Sequence, residues 1–156
     1  MINKIYQFNY SYDRDKLLLE SSIIDGYKPY YDPKNDTHLD LWTIKRITEG
    51  YGKELSQTFS EILECNIKPR FYIQKKGYTL PLHTDRGTLC SINFVLSDSK
   101  NTAVSFEDGE VIYSQALLNT TIMHGVINPQ HDRHLFKMSI FDKTFGEVRE
   151  IISSRL

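Results

Sequence analysis

The sequence has few cysteines, no export signal and no long apolar run. Only two of its 156 residues are cysteines, Cys65 and Cys90, and they form no C-x-x-C pair, so a zinc site made of cysteines alone is excluded. No apolar segment follows the start of the chain, so we expect no secretion signal, reduced thiols and a cytoplasmic location. No run approaches the roughly 18 consecutive apolar residues that span a membrane, so we expect no membrane partner.

The chain also lacks an excess of charge of either sign. Nineteen basic and twenty acidic side chains leave a net charge of -1. Binding to a nucleic-acid backbone without regard to sequence needs a surplus of Lys and Arg, so we expect no nucleic-acid partner. Hydrophobic residues make up 40% and charged residues 25% of the chain, which is enough apolar material for one folded domain and excludes wholesale disorder.

The first part of the chain has helical spacing, and the second has the texture of strands. We predict a short strand within residues 2–10, a helix over 13–24, a loop over 26–36 and an amphipathic helix over 40–63. After Pro69, short runs rich in β-branched and aromatic residues alternate with turn residues. These seven predicted strands are 70–74, 79–84, 90–96, 103–107, 111–113, 117–123 and 135–141.

Seven short strands at this spacing predict a sandwich or a flattened barrel, with the preceding helices packed on one sheet. The predicted class is therefore α+β. We expect a single domain, 1–156. Within it, residues 1–68 form an N-terminal strand and supporting helices, 69–142 the β core, and 143–156 a C-terminal tail.

The strongest chemical pattern is His83-x-Asp85, followed by His124 and Arg133. Residues i and i+2 of a strand point to the same face, so His83 and Asp85 can direct an imidazole and a carboxylate at one point. A third ligand from another strand, His124, would give two histidines and one carboxylate with open positions opposite, the arrangement of non-haem Fe(II) oxygenases. Arg133, nine residues after His124, could hold a dicarboxylate through its bidentate fork.

A second H-x-D pattern, His38-Leu39-Asp40, shows that this motif alone is weak. It leads into the predicted 40–63 helix, where Asp40 fits a first-turn acid favoured by the helix dipole, so we do not expect it to bind metal. His131 and His134 lie beside a turn, and we interpret them as part of a solvated loop rather than as ligands.

The run from Arg70 to Phe141 resembles the double-stranded β-helix, a jelly-roll and cupin-like fold, of the Fe(II)- and 2-oxoglutarate-dependent dioxygenases. It is most similar to the prolyl-hydroxylase and aspartyl/asparaginyl-hydroxylase branches. The matching pieces are the segment 77–85 (GYTLPLHTD), the strand 90–96, and the run from His124 through Arg133 to Phe141. The resemblance covers about half of the chain, residues 70–142, and the N-terminal helices match only loosely.

The resemblance implies that His83, Asp85 and His124 bind Fe(II) and that Arg133 pairs with the distal carboxylate of 2-oxoglutarate. It also implies that a tyrosine of the first core strand, here Tyr72, hydrogen-bonds the same carboxylate, although Tyr72 also fits an ordinary core aromatic. Some relatives use lysine as the anchor, so Lys137 is the alternative to Arg133.

The function implied is that of an oxidoreductase, a dioxygenase that uses iron, 2-oxoglutarate and O2. It would hydroxylate a C–H bond of a peptide, protein or amino-acid substrate and release succinate and CO2. The alternative is a cupin-like protein that binds a metal or a small acid without catalysis.

Overall fold

The protein is described by a computed structural model that covers residues 3–32, 37–97 and 103–156. Within these ranges the chain forms eleven strands and three helices. In chain order they are β1 Ile5–Gln7, α1 Arg14–Ser22, β2 Lys28–Asp32, β3 Thr37–Arg46, α2 Tyr51–Leu63, β4 Ile67–Gln74, β5 Leu80–His83, β6 Cys90–Val95, β7 Val104–Phe106, β8 Gly109–Val111, β9 Gln115–Leu118, β10 His124–Val126, β11 Arg133–Ile140 and α3 Phe145–Arg155.

The strands form two antiparallel sheets. The major sheet has seven strands in the order β1-β9-β6-β11-β4-β3-β2, and the minor sheet has four in the order β5-β10-β7-β8. From β4 to β11 the chain passes repeatedly from one sheet to the other, so most neighbours within a sheet are distant in sequence, as expected of a jelly roll. The predicted α+β fold with a double-stranded β-helix core is confirmed.

The two faces of the major sheet differ because side chains alternate along each strand. In the central strands, Phe71, Phe94 and Phe136 occupy matching register positions and are almost fully buried. They share one hydrophobic cluster with residues of all three helices, including Phe59 of α2 and Val148 of α3. The helices therefore cover this face, and the opposite face is left to line the space between the sheets.

Each helix begins at a polar contact that satisfies its free N–H groups. Asp13 caps α1 by accepting a hydrogen bond from the Lys16 N–H, and Thr144 caps α3 in a capping box with Glu147. The Glu20 carboxylate of α1 accepts from the N–H groups of Tyr51 and Gly52, so it ties α1 to the first turn of α2. These contacts define where the helices begin and join α1 to α2.

The predicted helix over 40–63 is wrong in its first part. Residues up to Arg46 belong to β3, and the helix begins at Tyr51. The apolar spacing of residues 41, 44 and 47 suits a helix, but Trp42 and Ile44 pair with Gln74 and Tyr72 of β4 in the sheet, and this tertiary pairing decides the local structure.

Two further differences concern strands that were not predicted. The predicted loop over 26–36 contains β2, which lies at the edge of the major sheet, while residues 33–36 are outside the described ranges.

Asp40 lies in β3 and is not a first-turn acid; the side chain of His38 is not among those described. The seven predicted runs each overlap a strand, but β10 was missed, and residues 143–156, expected as a tail, contain α3.

Candidate metal centre

The two histidines of the pattern lie opposite each other in the minor sheet. His83 ends β5, His124 begins β10, and the two residues are register partners. Asp85 follows β5 by two residues, and its backbone N–H donates to the carbonyl of Thr120 at 3.1 Å. A strand end, a strand start and a fixed loop thus bring residues from distant parts of the sequence together.

The three predicted ligands converge on one point. The Nε2 atoms of His83 and His124 each lie 3.2 Å from Oδ1 of Asp85. One ligand atom from each of the three residues lies within 4.8 Å of the others, and no other such group of His, Cys, Asp or Glu occurs among the described residues. The imidazole nitrogens and carboxylate oxygen form the donor set that suits ferrous iron.

Both imidazoles are oriented for metal binding by their second nitrogen. Nδ1 of His83 lies 2.8 Å from the carbonyl oxygen of Pro81, and Nδ1 of His124 lies 2.7 Å from that of Ile122. A carbonyl oxygen only accepts, so each Nδ1 carries the proton and donates it. Each Nε2 therefore keeps its lone pair, which is the tautomer that a metal-binding histidine needs.

The second carboxylate oxygen of Asp85 is held by Lys137. The Lys137 Nζ lies 2.5 Å from Oδ2, and both side chains are largely buried, with 14% and 13% of their surface exposed. Burial alone would raise the pKa of Asp85, but the Lys137 ammonium brings that pKa well below its usual range. Burial would lower the pKa of Lys137, whereas the Asp85 carboxylate raises it above its ordinary value.

Arg133 lies at the start of β11 and is almost fully buried beside the same pocket. Its Nη2 donates to the hydroxyl of Tyr113 at 3.1 Å, while its Nε has no hydrogen-bond partner among the described residues. Buried polar groups are normally hydrogen-bonded, so this N–H group needs an acceptor that the described residues do not provide. A carboxylate of a bound acid is one group that would supply this acceptor.

Solved structures of similar fold include prolyl hydroxylases. A prolyl hydroxylase from Trichoplax adhaerens, in complex with a peptide fragment of the hypoxia inducible factor oxygen degradation domain, superimposes with a TM-score of 0.68 at 13% identity. The match covers 97% of this chain and 86% of that one. A Pseudomonas putida prolyl-4-hydroxylase has a TM-score of 0.64 at 13% identity, and the match covers 90% of this chain and 94% of that one.

A viral collagen prolyl hydroxylase from Paramecium Bursaria Chlorella virus-1 has a TM-score of 0.58 at 10% identity, with 88% of this chain and 95% of that one covered. No protein-family model and no curated protein matches the sequence. The chain has the fold of the 2-oxoglutarate-Fe(II) oxygenases.

Within this fold, Tyr72 is a buried aromatic in a small cluster with Trp42 and Leu135. Its ring stacks on Trp42 with centroids 4.8 Å apart, and the Nζ of Lys137 lies 5.5 Å from the ring centroid. The hydroxyl that contacts Arg133 belongs instead to Tyr113, which sequence reasoning missed. Tyr113 lies in no motif, and only the folded chain brings it next to Arg133.

Of the two histidines interpreted as loop residues, only one is exposed. His131 lies on the surface, as expected. His134 lies in β11, where it is partly buried and its Nδ1 is 2.8 Å from the hydroxyl oxygen of Ser21 in α1. His134 does not belong to the group of His83, Asp85 and His124. Its contact with Ser21 connects the first helix to the sheet.

None of the helices in the described part of the chain has the length and apolar character needed to span a bilayer.

Proposed function

We propose that this protein is an Fe(II)- and 2-oxoglutarate-dependent oxygenase that hydroxylates a C–H bond of a peptide, protein or amino acid and releases succinate and CO2. The observation that carries the proposal is the convergence of His83, Asp85 and His124. Ferrous iron with 2-oxoglutarate and O2 supplies the oxidising power that no side chain has. The protein supplies the binding, orientation and charge.

His83, Asp85 and His124 would hold the iron. The carbonyl contacts of both Nδ1 atoms keep the Nε2 lone pairs directed at the metal, so little reorganisation is needed on binding. Lys137 occupies the second oxygen of Asp85, which favours ligation through Oδ1 alone. One-oxygen ligation leaves more positions for the cosubstrate and O2.

Arg133 is our proposed anchor for the distal carboxylate of 2-oxoglutarate, and Lys137 is the less favoured alternative. Lys137 is already paired with Asp85, whereas Arg133 has an unused buried donor and a neighbouring hydroxyl from Tyr113. Arg133 and Tyr113 together could donate to both oxygens of one carboxylate. Tyr72, on the same face of the sheet, would shape the pocket and is a further candidate donor.

A peptide substrate has one piece of support beyond the sequence. The Trichoplax prolyl hydroxylase with the similar fold was solved with a peptide fragment. In the present chain the histidine pair lies at a strand edge, and His83 has 35% of its side-chain surface exposed. An exposed metal ligand suits a substrate that approaches from solvent, as a peptide segment or an amino-acid side chain would.

The test begins with metal and cosubstrate binding in the absence of air. Purified protein with Fe(II) should develop a weak visible charge-transfer band when 2-oxoglutarate is added, and in air it should convert 2-oxoglutarate to succinate slowly without substrate. His83→Ala and Asp85→Ala should lose both signals, and His131→Ala, at an exposed histidine outside the site, should keep both. Wild-type succinate production by either ligand variant would contradict the assignment.

The same assay separates the two candidate anchors and the non-catalytic alternative. Arg133→Met should need about tenfold more 2-oxoglutarate to form the band, because it removes charge-assisted hydrogen bonds, and Lys137→Met should change this concentration much less. The reverse order would assign the anchor to Lys137. Metal binding with neither band nor 2-oxoglutarate consumption would instead support a cupin-like binding protein.

A further inference from the structure

Three basic side chains lie next to one another across the inner face of the major sheet. Arg46 of β3 is the register partner of Arg70 in β4, and Arg70 is the register partner of Lys137 in β11. Directly opposite residues of antiparallel strands project to the same face with Cβ atoms about 5 Å apart. We call Arg46, Arg70 and Lys137 the basic row.

The charge of the basic row is only partly neutralised. Lys137 pairs with Asp85, but no carboxylate of the described residues lies within salt-bridge distance of Arg46 or Arg70. Like charges directly opposite each other in a sheet destabilise it. Arg70 is partly buried and Arg46 is exposed, so the row runs from solvent toward Asp85. Two neighbouring guanidinium groups with no counter-charge among the described residues are arranged to bind an anion.

The inner end of this row contacts the candidate metal centre. Lys137 contacts the metal-binding carboxylate directly. Tyr30 of the edge strand β2 is 40% exposed and lies within electrostatic range of Asp85, Lys137 and Arg70. A group held by Arg70 would therefore lie close to Lys137 and to the proposed metal ligand Asp85.

The basic row is separate from the buried arginine proposed for the cosubstrate. Arg133 precedes Lys137 by four residues of β11, which corresponds to about 13 Å along a strand. Arg133 faces Gln74 in the register, and Arg70 lies four residues before Gln74 on β4. The buried cation Arg133 and the two arginines of the basic row are thus separated along the strands of the same sheet face.

We infer that Arg70 and Arg46 bind a carboxylate of the primary substrate, so the substrate is an acidic amino acid or a peptide with an Asp or Glu next to the oxidised position. This inference rests on the proposed function, because it names the substrate of the same site. Guanidinium forks match the two oxygens of a carboxylate, and two forks side by side can hold it in a fixed orientation. The substrate's C–H bond would then be placed by a group that does not react.

The probe for this inference is N-acetylglutamate α-amide, with N-acetylglutamine α-amide as the uncharged match. The protein is first saturated with Zn(II), a diamagnetic substitute for iron, and with 2-oxoglutarate, so that the cosubstrate position is filled. The Nε–H signal of Arg70 is then followed by NMR as each probe is added. We expect the carboxylate probe to bind about tenfold more tightly than the amide, which reflects the loss of charge-assisted hydrogen bonds.

Variants locate the binding on the row. Arg70→Gln and Arg46→Gln should each lose most of the preference for the carboxylate. Lys76→Gln removes the same charge from an exposed turn and should retain the preference. Equal binding of the two probes, no binding of either, or a preference that survives Arg70→Gln or disappears in Lys76→Gln would overturn the inference. Tighter binding of inorganic phosphate than of the carboxylate probe would overturn it in favour of a phosphorylated substrate.

The design separates this inference from the proposed function. If Zn(II) or 2-oxoglutarate fails to bind, the proposed function fails, and the same titration on the metal-free protein still reports on Arg70 and Arg46. If both bind and the probes are not distinguished, the oxygenase proposal stands and the acidic substrate is excluded.

Discussion

Asp85 is the residue on which the site depends, because it contacts two imidazoles through one oxygen and an ammonium through the other. This carboxylate is the counter-charge of a largely buried lysine and, in the proposed function, also a metal ligand. The two roles can be separated by measurements on the metal-free protein, where only the second contributes.

Asp85→Asn should destabilise the metal-free protein by about 3 kcal/mol, because removing one partner of a buried ion pair leaves the other charge without compensation. Urea unfolding measures this loss. The double variant Asp85→Asn/Lys137→Met should recover part of it, since the unpaired ammonium is also gone. Asp132→Asn, at the exposed pair with Lys75, should cost less than about 1 kcal/mol. Equal losses at the two positions would contradict a buried ion pair.

At the scale of single elements, the position of β10 depends on Gly125, which has no side chain. A Cβ on Gly125 would lie 2.5 Å from the carbonyl oxygen of Leu80 and 2.9 Å from that of Pro81. These atoms belong to the backbone of β5, so they cannot move aside without moving the strand. Glycine at this position allows β10 and β5 to approach closely enough for His124 to face His83.

Gly125→Ala should therefore weaken metal binding more than it alters the fold, because it separates the strands that carry the two histidines. Isothermal titration with Mn(II) and a circular dichroism spectrum would measure the two effects. Gly146→Ala is the matched control: no atom lies within 4 Å of its added Cβ, and alanine favours the helix by about 1 kcal/mol. Unchanged Mn(II) affinity in Gly125→Ala would show that the strand separation does not position the ligands.

The sequence was sufficient for the elements whose pattern is local. The seven strand-like runs were predicted from β-branched and aromatic residues between turns, and α1 from its helical spacing. The H-x-D, His and Arg spacing identified residues that do come together. The β3 strand was mistaken for helix because its apolar spacing is compatible with a helix as well as with a strand. Only the pairing with β4 decides between the two. Tyr113 and the Lys137–Asp85 pair could not be predicted, since both depend on register between distant strands.

At the scale of the whole molecule, one face of the major sheet contributes to the hydrophobic core and the other carries the candidate site. One face carries the apolar cluster shared with the helices, and the other carries Arg133, Lys137 and the pocket. Because side chains alternate along β4 and β11, each of these strands contributes residues both to the core and to the candidate site. Helix α1 is joined to this arrangement by the contact between Ser21 and His134.

The contact between α1 and β11 makes the stability of the protein depend on pH. Burial lowers the pKa of His134 below its ordinary value, against the opposing effect of Asp132. The unfolded chain therefore binds a proton at this residue near pH 6.5, before the folded protein does, and stability should fall as pH decreases from about 6.5. Urea unfolding between pH 7.5 and 5 should show the free energy of unfolding fall by at most about 1.4 kcal/mol per pH unit, the limit for uptake of one proton.

His134→Asn keeps a polar partner for Ser21 and removes the titration, so its stability should change less with pH than that of the wild type. His131→Asn, at an exposed position, should follow the wild-type profile. Parallel profiles for His134→Asn and the wild type would assign the pH dependence to other groups.

Metal binding should stabilise the whole molecule, because its ligands come from β5, the following loop and β10 and are brought together only in the folded chain. A metal that binds the native state at 100 times its Kd adds about 2.7 kcal/mol to the free energy of unfolding. For a domain of this size that is a rise in Tm of several degrees, or about 5 to 10 °C. Calorimetry with Mn(II) under the same conditions measures it. His83→Ala should lose the rise, while Lys76→Gln, which leaves the ligands unchanged, should retain it. A rise of the same size in His83→Ala would place the metal elsewhere and remove the structural basis of the oxygenase proposal.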